Sequence, residues 1–512
     1  MNDPERLREC NVRIQYRPGQ PIKERRVTAL YNICGGLELG IYDNSINEGL
    51  GGLMERVFYV NSGNGEWQRP PVPEGGFFKS GLKKSVLGSF FYPVHQLTVD
   101  EFLARYKGSK LACYQRARVE LDTYGFDRRK HTFVGAFVKD ERQLRGKAPR
   151  LIRPFSPVFN LMFGTFVYPL EKCIYSAIDR LYNGPTVTKG LNGLQVAAAM
   201  RAKWDSFLDP ICIVTDMSRF DQHCSADALD WVCKICCIAL YKSGADVALF
   251  KSLWKLTTNT RGAVLCDDGI INYSVSGTLN SGLSSTSLVG VTLVCYLLRA
   301  YCLYADVKHQ LISAGDDTNI IIERDQLDKM GGLSAFCLRA GFTVKIEGIA
   351  DEFEHIDFCQ CRPVFDGDVW VMVRDPGVVT TKDLITSKKL DTVGDILSHV
   401  KAIGDCGISL AGGIPVLDSF YRMMLRHGGD RRVKELERNG FYYMSQGMSR
   451  KGREITDAAR ISFYKAFGIN IWRQQVLEQY YDQVEYDSRR GVERVESIPI
   501  SNNLRYAFQR EE

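Results

Sequence analysis

Long uninterrupted apolar runs are scarce in this chain. The longest, residues 287–307, is interrupted by Arg299 and reads better as a buried helix. The first ten residues, MNDPERLREC, are charged and carry no apolar targeting core. Internal repeats and long low-complexity tracts are missing, which excludes solenoids and disordered tails as the main architecture. Strong charge of one sign is missing too. Lys and Arg number 66 against 60 Asp and Glu, a net +6 that permits a polyanionic partner without demanding one. The 16 cysteines do not recur as paired CxxC units at zinc-ribbon spacing, and Cys233, Cys236 and Cys237 sit in an apolar run. Reduced, buried thiols in a cytoplasmic protein are therefore expected. What remains is ordinary globular composition, 45% hydrophobic and 25% charged over 512 residues, enough for roughly three folding units.

Charge is clustered where it is not abundant. Lys139, Arg142, Arg145, Lys147, Arg150 and Arg153 face only Asp140 and Glu141 over fifteen residues. Such a run is most often a solvated surface. Here Pro149 and Pro154 oppose a helix, and an extended arm aiming several cations at one anion fits the pattern better. Residues 61–81 are dense in Gly and Pro and should be irregular. Further on, strands alternate with helices. Residues 211–215 (ICIVT) read as a buried strand ending at Asp216, and 227–240 as a helix packed on a sheet. Residues 272–276 read as a strand, 277–304 as a Gly/Ser-rich turn and a long helix. Residues 310–313 and 318–323 form a hairpin around Ala314-Gly315-Asp316-Asp317. A helix over 327–340 and strands over 342–347 and 356–361 follow. Beyond Pro376 helices dominate, for example 455–467, with Thr456 or Asp457 as cap and Gly468 as terminator. The order expected is an irregular basic N-terminal half, an α+β core and a helical C-terminal third.

Three aspartates concentrate the chemistry. A lone Gly-Asp-Asp is usually a plain turn, because Asp is a common turn residue. A hairpin laid beside the first strand, however, would gather Asp216, Asp316 and Asp317 at one sheet edge, where three anions repel one another. Divalent cations remove that conflict, and few hard oxygen ligands favour Mg²⁺. Two such ions about 4 Å apart can activate an attacking 3′-hydroxyl and stabilise a pyrophosphate leaving group. Asp221, five residues beyond Asp216, can face an incoming sugar. The turn SGTLNSGLSSTS, from Ser276 onward and including Asn280, can track a template backbone and bond a ribose, although its residue types also suit a plain helix cap. The basic arm would neutralise a triphosphate.

The ordered set DMSRFDQH (216–223), SGTLNSG (276–282), AGDDT (314–318) and DFCQCRPVF (357–365), preceded by KDERQLRGKAPRLIRP (139–154) and ERVF (55–58), resembles the RNA-dependent RNA polymerases of positive-strand RNA viruses. Within these the chain is most similar to Tombusviridae-like replicases, with the flavivirus-family enzymes as more distant relatives. The resemblance covers roughly residues 40–430. It implies an α+β right-hand polymerase fold of fingers, palm and thumb, with an antiparallel palm sheet flanked by helices and a mainly helical thumb. The implied division is fingers over 1–165 including the arm 139–154, palm over 166–239 and 273–375, a fingers insertion over 240–272, and thumb and tail over 376–512. It implies templated RNA synthesis that replicates and transcribes a positive-strand viral genome.

Carried over residue by residue, Asp216 and Asp316 bind two Mg²⁺ ions, for which Mn²⁺ can substitute, with Asp317 adjacent. Asp221 and Ser276 recognise the ribose 2′-hydroxyl. Lys139, Arg142, Lys147 and Arg150 line the nucleotide path, with Lys147 and Arg150 at the triphosphate. Lys345 sits where the family's palm lysine protonates pyrophosphate, unless it is a plain strand-edge lysine. Segment 357–365 grips the nascent strand. Two departures stand out: Ser281 replaces a Thr of many relatives, and Ser285-Thr286 stands where many have Asn. The implied partners are a viral RNA template with its nascent strand, ribonucleoside triphosphates and a separate membrane-anchoring replication protein, unless the chain is part of a longer readthrough or frameshift product. The implied location is the host cytoplasm, peripheral to membrane-associated replication complexes. Methyltransferase, helicase and protease motifs are not seen. A reverse transcriptase would usually carry an aromatic residue before the paired aspartates and a bulky residue at 221. A non-catalytic RNA-binding factor would use the arm without needing metal.

Overall fold

The computed structural model describes residues 9–31, 39–61, 66–80, 88–144, 146–429, 440–487 and 492–494. Arg145, part of the Gly/Pro-rich segment 61–81 and the C-terminal tail lie outside these.

The central element is the strand Pro210–Met217, whose β-branched run is buried almost throughout. Two strands flank it, Asp317–Glu323 and Val344–Ala350, and His309–Ser313 completes a four-stranded, wholly antiparallel sheet. Both faces are covered. Ile211, Ile213, Ile320 and Ile322 point into the largest core, while Cys212, Ile312 and Ile321 point into a second one with Trp204, Phe353 and Phe358. That two-sided burial explains why the strands read as continuous apolar runs rather than alternating ones. The largest core is built from the helices Pro157–Leu181, Ala226–Tyr241 and Thr286–Tyr304. Thr286–Tyr304 is the one helix among the described residues long and apolar enough to cross a membrane, and 72% of its most apolar window is buried inside the protein.

The N-terminal half is more regular than its sequence suggests. Pro157–Leu181 is a helix of 25 residues, with Ser156 accepting from the Phe159 amide as N-cap and Pro157 in the first turn. Fourteen of its residues are buried; from Val158 to Val167 nearly every position is, which hides the helical period there, while Leu170, Cys173, Ile174, Ala177 and Ile178 keep it. A second sheet has the order Arg13–Tyr16, Gly269–Ser276, Asn259–Cys266, Phe133–Val138, Leu151–Ile152. It draws strands from three distant segments, and its central hairpin closes through Asp267-Asp268. The divisions at 165/166, 239/240 and 272/273 fall inside the helices Pro157–Leu181 and Ala226–Tyr241 and the strand Gly269–Ser276.

Beyond Pro376 the helices Val393–Ala411, Leu417–His427, Asp457–Phe467 and Ile471–Gln483 enclose their own core. Thr456 caps Asp457–Phe467 by accepting from the Ala459 amide, and Gly468 ends it in the left-handed region at φ 68°. The N-terminal part reaches this region: Thr28–Ala29 pairs with Ile385–Thr386.

Two local expectations are corrected. Residues 327–340 are not one helix but a 3₁₀ segment, Arg324–Gly332, followed by the α-helix Leu333–Arg339. The Gly331-Gly332 pair is a weak helix former, and the Gly332 amide donates to the Tyr301 hydroxyl at 2.9 Å. Residues 356–361 do not form a strand. Cys359 and Gln360 both adopt positive φ, 54° and 60°, which breaks a strand and turns the chain into the hairpin Cys361–Phe365 with Trp370–Arg374. All fifteen described cysteines are free, and all but Cys113 and Cys359 are buried.

Candidate active site

Register places the acidic residues. Asp317 is paired with Asp216, and Lys345 is paired with Asp216 from the opposite side. Directly opposed residues in adjacent strands project to the same face, so three charged side chains stand abreast across the sheet. Asp316 lies in the turn before the Asp317 strand. Gly315 has φ +114°, a conformation that disfavours any side chain. A buried hydroxyl network holds the turn: Thr318 Oγ1 lies 2.7 Å from Ser313 Oγ and donates within reach of the Gly315 carbonyl at 3.0 Å, while the Gly315 amide reaches Ser313 Oγ at 3.3 Å. Behind it, Gly290 of the long helix approaches so closely that an added Cβ would lie 3.6 Å from Gly315 Cα.

The electrostatics are those of crowded anions. The Asp216 carboxyl is pushed above the usual range, first by desolvation and then by the charge of Asp316, while Lys345 and Lys147 pull it back. Asp317 is raised by desolvation and by the charges of Asp316, Asp216 and Glu347. The thiol of Cys359 hydrogen-bonds to Asp317 and opposes that rise. Hard oxygen donors whose ionised forms repel one another are the donor set that suits a divalent cation. Among the described residues, no three His, Cys, Asp or Glu side chains are already gathered as a ligand set. The chemistry of the donors thus fits a metal, and the side chains would have to close around it.

Asp221 sits on the short helix Phe220–His223, entered through Arg219 at φ 49°. Phe220 stacks on Phe342 with centroids 5.4 Å apart, and the Gln222 side-chain Nε2 donates to the Tyr59 carbonyl at 2.8 Å. Arg219 donates to the Glu55 carbonyl. The segments SRFDQH and ERVF therefore grip each other, and this contact fixes where Asp221 stands. Burial pushes the Asp221 carboxyl up to about 6, against the pull of Arg153 and Arg150.

The turn after Ser276 is laced to the same helix. Ser276 is exposed at its strand end. The Gly277 amide donates to the Thr258 carbonyl, the Thr278 amide to Cys224 and the Leu279 amide to Asp221, at 2.7–2.8 Å. A Cβ on Gly277 would meet the Cys224 carbonyl at 3.1 Å, so only glycine passes here without a shift. Asn280 is 1% exposed, and neither its amide oxygen nor its amide nitrogen has a partner. Ser281, one of the departures, is used structurally: its hydroxyl donates to the Leu151 carbonyl and accepts from the Arg153 amide, both at 3.2 Å. Ser285 precedes the long helix without a side-chain cap.

The basic arm splits. Lys147 is exposed and close enough to Asp216 to lower its carboxyl. Arg150 is exposed, acts on Asp221 and lies 3.5 Å from Glu141. Lys139 is half-buried in an ion pair with Glu141 at 2.5 Å. Arg142 does not join them. Its guanidinium donates to the backbone carbonyls of Lys382 and Ile385, and burial lowers its pKa. The adjoining short strand Gln143–Leu144 pairs with Leu39–Gly40, and Arg142 at its start reaches the 382–385 backbone instead of the carboxylates. Two residues near the carboxylates had no assigned role in the sequence reading. Arg153 counted only as one charge of the run, although an Arg between Ile152 and Pro154 is an unusual place for a solvated cation. Cys359 belongs to the DFCQCRPVF segment (357–365) but had no role of its own there.

Residues 14–489 match the profile of a family described as viral RNA dependent RNA polymerase. The chain is 34% identical over 485 residues to the RNA-directed RNA polymerase of Turnip crinkle virus, covering 91% of this chain and 60% of that protein. It is 33% identical over 473 residues to the RNA-directed RNA polymerase of Tobacco necrosis virus (strain A), covering 91% and 64%. For the protein of the same name from Groundnut rosette virus (strain MC1) the figures are 34% over 492 residues, 93% and 56%. The chain therefore spans about three fifths of the length of these curated relatives.

Proposed function

The chain belongs to the viral RNA-dependent RNA polymerase family, and from that premise we propose that it joins ribonucleotides on an RNA template. The observation that carries this reading is the alignment of Asp317, Asp216 and Lys345 across three strands, with Asp316 in the adjoining turn. In this reading the central antiparallel sheet is the palm, the second sheet belongs to the fingers, and the helices beyond Pro376 are the thumb.

In the reaction, the 3′-hydroxyl oxygen of the nascent strand attacks the α-phosphorus of a nucleoside triphosphate. The bond from that phosphorus to the bridging oxygen of the β-phosphate breaks, and the hydroxyl proton is released to solvent. Lys345 gives a proton to the departing pyrophosphate. Two Mg²⁺ ions, or Mn²⁺ in their place, would supply charge neutralisation for the hydroxyl and the pyrophosphate when bound. Asp216 and Asp316 would hold them, with Asp317 beside them. Asp221, Ser276 and Asn280 recognise the ribose. Lys147 and Arg150 receive the triphosphate, Lys139 supports them through Glu141, and the segment 357–365 holds the nascent strand. The polymerase acts on a positive-strand viral genome in the host cytoplasm, at membrane-associated replication complexes.

The test is incubation of the purified protein with a defined RNA, four ribonucleotides and Mg²⁺, followed by product sizing. Template-length RNA from the wild type and none from Asp316→Ala is the expected result. Equal synthesis by both would remove the assignment. Ribonucleotides and deoxyribonucleotides supplied separately distinguish this activity from reverse transcription.

A further inference from the structure

We propose that Arg153 is a positioning residue for sugar selection, holding Asp221 and the turn at 278–280 in one arrangement. This deepens the reading above and rests on Asp221 being the sugar-recognising group.

Arg153 is 4% exposed, and a guanidinium is almost never taken so far from water unless it is paired. One terminal nitrogen lies 3.1 Å from Thr278 Oγ1 and the other donates to the Leu279 carbonyl. Its own backbone amide donates to Ser281 Oγ. Three of the four residues of 278–281 are thus tied to one side chain and its main chain. Thr278 is held at φ 60°, a strained conformation for a β-branched residue, which persists only when its surroundings fix it. The charge of Arg153 also acts on Asp221, favouring the carboxylate, and the Leu279 amide donates to the Asp221 carbonyl at 2.7 Å.

Between these anchored residues sits Asn280, with both side-chain polar atoms buried and unpartnered. A buried amide left in that state is costly unless something arrives to bond it. Arg153 therefore braces, from behind, a half-buried carboxylate and an unsatisfied amide that belong to one small region. The parallel bridge between Pro154 and Gly282 continues the same contact, so the arm that carries Lys147 and Arg150 and the turn that faces the sugar are joined at this point.

The experiment measures ribonucleotide over deoxyribonucleotide preference, KM and kcat for wild type, Arg153→Gln, Arg153→Lys, Asp221→Asn and the Arg153→Gln/Asp221→Asn double variant, with thermal melting of each. Arg153→Gln should raise the ribonucleotide KM and lower the preference about tenfold, the size expected from losing one charged hydrogen-bonding partner. Arg153→Lys, which keeps the charge, should recover part of the preference. The double variant should be no worse than Asp221→Asn alone, because the two residues act as one unit. A folded Arg153→Gln with unchanged preference, while Asp221→Asn loses it, overturns the inference and leaves the role of Asp221 standing. Unchanged preference in Asp221→Asn overturns both. If Arg153→Gln does not fold, Arg153→Lys decides: reduced preference supports the inference and full preference overturns it. Additive losses in the double variant would mark Arg153 as structural only and overturn it.

Discussion

Lys345 and Asp216 are register partners across two antiparallel strands, and Asp317 is the partner of Asp216 on its other side. An ammonium thus stands beside a carboxylate that is otherwise surrounded by like charge, and it pulls the Asp216 carboxyl down while Asp316 pushes it up. Lys345 itself is exposed. A register bulge between Ile346 and Gly348 follows at once. Bulges of this kind redirect side chains at the ends of pairing.

Lys345→Ala should therefore slow nucleotide incorporation by roughly 10²-fold, the scale of a lost general acid, with little change in nucleotide KM. Rapid-mix kinetics across pH measures this. A kcat equal to wild type would leave Lys345 as an ordinary strand-edge lysine.

The crowded carboxylates predict a trade of stability for function. Without divalent cations, Asp216→Asn removes one like charge and should raise the melting temperature by about 1–2 °C while abolishing incorporation. Mg²⁺ should stabilise the wild type more than this variant. Calorimetry with and without Mg²⁺ compares the two, and identical cation responses would count against metal binding here.

Asp221 gives a pH prediction with a defined sign. Burial pushes its carboxyl in the folded protein up to about 6, from an ordinary value of 3.8. Between those values the folded protein holds a proton that the unfolded chain has released, so this group makes stability fall as pH rises from about 4 to 6. Asp221→Asn should flatten that part of the profile and weaken discrimination against deoxynucleotides. Urea midpoints at several pH values, measured without metal, show whether the slope belongs to Asp221.

The split arm predicts a split outcome. Lys147→Ala or Arg150→Ala should raise nucleotide KM or lower turnover with stability nearly unchanged, as expected of exposed side chains. Arg142→Ala should instead cost about 1–3 kcal/mol of stability, because it leaves two carbonyls without their donor. Nucleotide KM should stay near wild type. A large KM effect at Arg142 with no loss of stability would reverse this division.

The amino-acid sequence alone determined the local pieces. The runs ICIVT and TNIIIE, the glycine before Asp316, and the Thr456 and Gly468 ends of a helix are readable because side-chain period and turn chemistry act over a few neighbours. Where burial is all-round the same reading loses its signal, as in the first half of Pro157–Leu181, and where Gly or positive φ intervenes it overextends, as at 327–340 and 356–361. Tertiary structure decided which pieces meet. It paired Lys345 with Asp216, drew Arg142 to the 382–385 backbone, brought Cys359 to Asp317 and buried Arg153 against the turn at 278–281. Those partners are far apart in the chain, and their contact follows from strand register and core packing, which no local pattern of residues encodes.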